Sequence, residues 1–299
     1  MYIINNISCL ANAKKNNSCT DIIAIDGGSK RNTTDISGAK ALHTLNAYSN
    51  NYGMCVDQVF IDEKTNEIPA AKELLEIIDI KDTIVTLDAL NTQKSTVEAV
   101  IKNKSNCVGA LKGNHGNLFN DVKDYFEDEE LRDSLKQNKE CYVVTKEKQH
   151  SSIVSREYFL TSNIKWLSCK KEWKGIKSIG LEKKTIKKNN GTIINKNRYF
   201  ICSIDDIEIF PRAVRQHWGV KNCLHWHLDF TFKDDKNATM NKNGAKNLQI
   251  VLSILRIVQT FYKVNLKMVR YRLSLDFDNE IQTIFKLLNY HEVEIALNK

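Results

Sequence analysis

Two aspartates end apolar segments that have the character of buried strands. Asp26 closes the segment 21–26, and Asp88 closes the segment 83–88. An acid at the carboxyl end of a strand holds its carboxylate at the edge of an α/β sheet, where such folds place their sites. If the two strands are neighbours, the carboxylates converge and offer the hard oxygen ligands that Mg²⁺ or Mn²⁺ prefers. The alternative is that each aspartate caps a turn, a position that this residue type favours.

Residues 21–112 alternate between strand-like and helix-like segments in the order β-β-β-α-β-α-β. Strands are predicted at 21–26, 40–48, 54–61, 83–88 and 107–112, and helices at 68–78 and 93–102. The first three strands are expected to form an antiparallel meander, with Gly27 and Gly28 ending the first strand. Because a crossover helix returns the chain to the same edge of the sheet, the later strands are expected to run parallel. The sequence therefore predicts a mixed α/β sheet.

The second half of the chain changes from mixed to strand-like character. Strands are predicted at 141–145, 155–160, 176–181 and 193–204, with a turn at 189–191, and helices at 211–218 and 247–261. The expected organisation is an irregular N-terminal segment (1–20), the first part of the α/β core (21–140), a β-rich insertion (141–207), the helical part of the core (208–265) and a C-terminal extension (266–299).

Composition limits the function classes. The 299 residues carry a formal net charge of +8, which suits a polyanionic partner but is too low for a purely electrostatic nucleic-acid binder. No apolar run reaches the ~20 residues of a membrane span, and no basic region precedes the N-terminal apolar residues. A cytoplasmic protein with no membrane partner is therefore expected. The eight scattered cysteines include no Cys-x-x-Cys pair, which favours reduced thiols over a zinc site.

Several separated segments resemble one family. They are IAIDGGSKRN (23–32), QVFIDEKTNEI (58–68), IVTLDA (84–89) with QK (93–94), ALKGN (110–114) and AVRQHWGVKNCLHWHLDFTFKD (213–234). In this order they closely resemble the ISAs-type, or H-repeat-associated, insertion-sequence transposases of the DDE superfamily, over residues 21–262. The resemblance implies a ribonuclease H-like mixed sheet flanked by helices and interrupted by a β-rich insertion.

The resemblance also implies metal-dependent DNA cleavage and strand transfer at the ends of an insertion element. In that family three carboxylates hold two Mg²⁺ (or Mn²⁺) ions, which activate the attacking hydroxyl and steady the leaving oxygen. Asp26 matches the first carboxylate and Asp88 the second. The third position holds Lys221, in HWGVKN, and an ammonium cannot ligate a metal. The two-ion site is therefore expected to be incomplete.

Other positions depart from the family pattern. Gly28 replaces a lysine, with Lys30 close by, and HSSIV (150–154) stands where the family has His-Gly-Arg-Ile-Glu. Only 25 residues precede Asp26, whereas family members carry a longer N-terminal region. These differences predict a degenerate, catalytically impaired copy that still folds. Two alternatives stay open: an active enzyme with Asp229 or His225 as its third ligand, and a catalytically silent DNA-binding protein.

Double-stranded DNA carrying the element ends is the partner that the resemblance implies, with a homodimer and a nucleoid-associated location as further expectations. The candidate DNA-binding residues are Lys30, Arg31, Lys112, Arg215, His217 and Trp218. Basic side chains near the catalytic edge are expected to contact phosphates. Trp218 and Trp226 are placed to stack on bases. The alternatives are solvated lysines at the surface and tryptophans packed in the core.

Overall fold

The computed structural model describes residues 20–29, 43–51, 53–61, 67–149 and 152–221, and positions 268, 271, 274 and 275. These residues divide between two compact units. Of the described residues, the first unit contains 20–21, those within 27–79 and those from 219 onward, and the second contains those within 22–26 and 80–218. The helix predicted at 247–261 lies outside the described residues, as do Lys30, Arg31, Trp226, and the two alternative ligands His225 and Asp229.

The first unit contains a hairpin and a helix. Strands β2 (His43–Ser49) and β3 (Met54–Ile61) pair antiparallel, with Gly53 at φ +64° in the turn between them. Helix α1 (Glu67–Ile77) packs against both strands through its buried leucines and alanines. The predicted hairpin and the helix that follows it are therefore confirmed.

Strand β1 (Ile22–Ser29) begins in the second unit and does not stop at the two glycines. The prediction that Gly27 and Gly28 end the strand is therefore wrong. Gly28 stays extended, and its carbonyl oxygen accepts a hydrogen bond from Thr44 Oγ1 at 3.4 Å. Glycine permits a turn without requiring one, and here the backbone has a partner to hold it extended.

The second unit contains a strand-helix-strand crossover, from β4 (Ile84–Leu87) to β5 (Asn106–Leu111), whose strands pair parallel as the crossover argument predicts. Strand β4 also runs parallel to β1, and helix α2 (Lys94–Lys102) lies between β4 and β5 along the chain. Helices α3 (Asn117–Glu127) and α4 (Glu129–Lys136), not predicted from the sequence, follow β5. The predicted mixed α/β sheet is confirmed.

Four longer strands continue the same sheet. They are β6 (Tyr142–Gln149), β7 (Ser152–Thr161), β8 (Ser178–Lys188) and β9 (Ile193–Cys202), paired antiparallel in sequence. Strand β9 also pairs with β5, so the second unit has the strand order β1-β4-β5-β9-β8-β7-β6. Gly191, at φ +82°, supplies the turn predicted between the last two strands.

Helices cover both faces of this sheet. Helix α5 (Phe210–Gln216) packs Phe210, Ala213 and Val214 against one face, in a cluster that includes Ile22 and Ile84. Phe119 of α3 meets Tyr199 edge-on at 5.7 Å on the other face. The element order and this flanked sheet are those of the ribonuclease H-like class.

The structure bears on two features considered in the sequence, membrane-spanning segments and cysteines. Within the described ranges, no helix combines the length and apolar character needed to cross a membrane. The five described cysteines are all unbridged, and Cys55, Cys107 and Cys202 are buried.

Candidate active site at the carboxyl edge of the sheet

The register of β1 and β4 brings the two candidate carboxylates to the same edge of the sheet. Ile25 pairs with Leu87, and Asp26 and Asp88 are the residues that directly follow them. Adjacent strands lie about 4.8 Å apart, so the two backbones are close at this point. The condition under which the two carboxylates converge, that their strands are neighbours, is therefore met.

Both aspartates lie on the sheet face that α5 covers. Side chains alternate along a strand, so Asp26 shares a face with Ile22, and Asp88 continues the face of Ile84 and Thr86. Ile22 and Ile84 belong to the apolar cluster that packs under Phe210 of α5. Asp26 is buried, with 2% of its surface exposed. The helix therefore covers the strands on the side from which the carboxylates project.

Asp88 also caps a turn. Its Oδ1 accepts hydrogen bonds from the backbone N–H of Asn91 at 2.8 Å and from Asn91 Nδ2 at 3.0 Å. Its backbone oxygen accepts a third from the Thr92 hydroxyl at 2.6 Å. Within the described part of the chain, Asp88 Oδ2 takes part in no hydrogen bond. The capping alternative therefore holds for Asp88, and it fixes the carboxylate while leaving one oxygen for another ligand.

His217 attaches the end of α5 to the strand that leads to Asp88. Its Nδ1 lies 3.0 Å from the hydroxyl oxygen of Thr86, two residues before Asp88 on the same face. The structure therefore gives this candidate DNA-binding residue a contact inside the protein. Lys221, four residues later in the sequence, is half-buried and belongs to the first unit.

Of the other candidate DNA-binding residues in the second unit, Arg215 and Trp218 contact residues of the long strands, and Lys112 lies at the carboxyl edge of the sheet. Arg215 donates to Glu147 Oε2 at 2.9 Å, and Arg198 lies over the ring of Trp218 at 4.7 Å from its centroid. Lys112 is exposed and directly follows β5. It lies three residues after Gly109, the residue that pairs with Leu87, the neighbour of Asp88. Lys112 is thus the candidate placed on the same edge as the aspartates and exposed to solvent.

Comparison with known proteins identifies the family. The family described as "Transposase DDE domain" matches residues 17–255, which include Asp26, Asp88 and Lys221. The chain belongs to the DDE transposase family.

Named relatives agree with this assignment. The chain is 32% identical over 249 residues to "Putative transposase YncI" of Escherichia coli O157:H7, covering 79% of the chain and 62% of the relative. It is 34% identical over 238 residues to "H repeat-associated putative transposase YhhI" of Escherichia coli strain K12, covering 76% and 60%. The chain thus matches about three fifths of the length of these relatives. A solved piggyBac transposase synaptic complex with hairpin DNA aligns at 10% identity with a TM-score of 0.44, too low to support an argument.

A DDE-family protein is expected to use a divalent metal, and the described residues fit one such ion better than two. Asp26 and Asp88 provide hard oxygen donors at adjacent strand ends on one face. Mg²⁺ is commonly held by one or two protein carboxylates, with waters and substrate phosphates completing its shell. No group of three or more His, Cys, Asp or Glu side chains able to hold a metal occurs among the residues that the structure describes. The pair therefore suits a single ion.

A network of arginines and glutamates on the DDE protein's long strands could not be found from the sequence. Arg156 donates to Glu147 and lies 3.5 Å from Glu182, and Arg198 lies 3.3 Å from the other oxygen of Glu182. Side-chain exposure is 9% for Arg156 and 4% for Glu182. The hydrogen bond from Arg156 lowers the pKa of Glu147. These contacts depend on strand register, which the sequence pattern does not specify.

Proposed function

We propose that this chain is a DNA transposase of the DDE type whose cleavage and strand transfer at insertion-element ends are impaired by Lys221. The observation that supports this function best is the placement of Asp26 and Asp88 side by side at one edge and on one face of the sheet. The family resemblance assigns the third carboxylate position to Lys221. Two of the three carboxylates are therefore retained, and the third is replaced by a cation.

The charge change is large enough to predict impairment. Replacing a carboxylate by an ammonium changes the local charge by two units. At about 4 Å and an effective dielectric constant of about 20, each unit contributes about 4 kcal/mol to the interaction with another unit charge. A site that has lost an attraction of this size and gained a repulsion will hold its second ion weakly or not at all.

The retained residues have definite roles in this proposal. Asp26 and Asp88 hold one Mg²⁺ or Mn²⁺ ion, which when bound supplies the charge that activates an attacking hydroxyl. The turn formed with Asn91 keeps the Asp88 carboxylate oriented. His217 ties the end of α5 to β4 through Thr86, two residues before Asp88. Lys112 contacts DNA phosphates at that edge, and the protein acts on double-stranded DNA in the nucleoid.

Strand cleavage of DNA that carries the element ends tests this function. The unaltered protein, Lys221→Glu and Asp88→Ala are compared with Mg²⁺ and with Mn²⁺. We expect little cleavage by the unaltered protein, restored cleavage by Lys221→Glu, and none when Asp88→Ala is added to Lys221→Glu. Robust cleavage by the unaltered chain that Asp88→Ala abolishes would contradict the impairment and favour an unorthodox third ligand, His225 or Asp229.

A second function is that of a catalytically silent DNA-binding protein, which the replacement of the third carboxylate by Lys221 also fits. Salt-sensitive binding of DNA together with no cleavage even by Lys221→Glu would support it. That result would mean that changes besides Lys221 have removed the chemistry.

A further inference from the structure

The register of three long strands places three cations in a row. Arg156 of β7 is directly opposite Lys184 of β8, and Lys184 is directly opposite Lys196 of β9. Residues opposite each other on adjacent strands project from the same face, about 5 Å apart. Like charges in such positions destabilise a sheet. Arg156 is offset by Glu147 and Glu182, so the cost that the described fold leaves falls on the opposed pair Lys184 and Lys196.

The face that carries this row is the one that holds the candidate carboxylates. Arg156, Lys184 and Lys196 share the alternation of Tyr158, Gly180 and Phe200, respectively. Those three positions pack against Phe210 of α5. The face is thus the α5 face, from which Asp26 and Asp88 also project at the opposite end of the strand order.

The carboxylates on this part of the face are already paired with arginines. Glu147 accepts from Arg156 and Arg215, and Glu182 pairs with Arg156 and Arg198. Among the residues that the structure describes, neither Lys184 nor Lys196 forms an ion pair. Burial and the neighbouring Arg156 lower the pKa of Lys184, which agrees with a cation in an unfavourable environment.

The two unpaired lysines lie in a surface of positive charge together with Lys188 and Arg198, of which Arg198 also pairs with Glu182. Lys196 and Lys188 are exposed, Lys184 is half-buried, and the side chain of Arg198 is 38% exposed. All four lie on the α5 face by strand alternation, and we name them the cationic strip. The strip crosses two adjacent strands and extends along them for several residues.

We propose that the cationic strip binds the phosphate backbone of double-stranded DNA, extending the contact that starts at the Asp26–Asp88 edge. A polyanion relieves the repulsion between the opposed cations and gains from each lysine that neutralises a phosphate. Strip and carboxylates lie on one face of one sheet, so a duplex engaged at the carboxylates can continue along the sheet to the strip. This inference rests on the proposed transposase function, because that function supplies the DNA.

Binding of a labelled DNA duplex, followed by fluorescence anisotropy between about 50 and 200 mM salt, tests the strip. The test variant is Lys184→Ala/Lys196→Ala. The control is Lys146→Ala/Lys187→Ala, which removes the same charge from exposed lysines of β6 and β8 that lie on the opposite face of the same sheet. We expect the test variant to bind roughly 10- to 60-fold more weakly at about 0.1 M salt, with a log–log salt slope reduced by about 2.

The outcomes separate this inference from the proposed function. Because the test variant removes opposed like charges, its melting temperature is expected to equal or exceed that of the unaltered protein, so weak binding would not reflect unfolding. Equal binding by test and control variants would overturn the strip and leave the proposed function standing. If the unaltered chain bound no duplex, both would fail. Tighter binding of an RNA duplex of the same sequence would overturn the assignment to DNA.

Discussion

Replacing Gly180 by alanine tests the packing that holds α5 on the catalytic face. Gly180 lies on β8 between Leu160 and Phe200, and its Cα faces the ring of Phe210. A methyl group there would lie 2.9 Å from Cε2 of Phe210 and closer still to Cζ. Phe210 is fully buried and contacts Tyr158 and Phe200 edge-on, with centroid distances of 6.2 and 5.5 Å. The ring therefore has no empty space to enter.

The magnitude follows from the distances. Carbon atoms pack at about 3.5–4.0 Å, so the ring must move by about 1 Å or the helix must lift. Overpacking of this kind costs about 1–3 kcal/mol. The reduced backbone entropy of alanine in the unfolded chain offsets about 0.5–1 kcal/mol. We expect Gly180→Ala to lower the free energy of unfolding by about 1–2 kcal/mol, and the melting temperature by about 2–6 °C.

Urea denaturation measures this effect, with Gly113→Ala as the matched control. A methyl group at Gly113 would have no neighbour within 4 Å, so its cost is expected to be below about 0.5 kcal/mol. Adding Phe210→Leu removes the ring, so Gly180→Ala should then cost less than it does alone, which a double-mutant cycle detects. If Gly180→Ala were as stable as Gly113→Ala, the described packing of α5 on the sheet would be refuted.

Two further predictions concern the hydrogen bond at the catalytic edge and the buried thiols. Thr86→Val and His217→Ala should each lower the free energy of unfolding by about 1 kcal/mol in urea denaturation. Because both substitutions remove the same hydrogen bond, the double variant should lose less than the sum of the two, and additive losses would contradict that contact. Burial raises the pKa of the Cys55 and Cys107 thiols to about 12. As the pH rises from about 9, these thiols lose their protons in the unfolded chain before they do so in the folded chain, so the free energy of unfolding should fall. Cys107→Ala should make this fall shallower, and an unchanged alkaline pH profile would contradict it.

The parts of the fold that local patterns control are the parts that the sequence predicts. Apolar runs closed by Asp26 and Asp88 predict two strands, and the structure has both. Their parallel pairing with each other depends on the strand order, which the sequence pattern leaves open. Gly27 shows the limit of such patterns. A glycine pair is compatible with a turn or with an extended strand, and a contact from Thr44, distant in sequence, favours the extended form here.

The candidate site depends more strongly than the individual strands and helices do on contacts between residues distant in sequence, which the sequence pattern does not reveal. Both aspartates were predicted at the edge of the sheet, but their common face follows from the packing of Phe210, which requires the position of α5. Arg156 and Glu182 are two charged residues among many in the sequence. They become a buried pair only through the register of β7 and β8, which sequence alternation restricts but does not determine.

In the proposed function the chain retains Asp26 and Asp88 as two ligands of a transposase metal site, and Lys221 stands in the place of the third. Mn²⁺ binding, followed by electron paramagnetic resonance for the unaltered protein, Lys221→Gln, Lys221→Glu and Lys221→Glu with Asp88→Ala, tests it most directly. We expect affinity to rise from lysine to glutamine to glutamate, by at least about tenfold overall, since each charge unit contributes up to about 4 kcal/mol. Asp88→Ala should abolish this gain. Equal Mn²⁺ affinity in all four proteins would contradict the account.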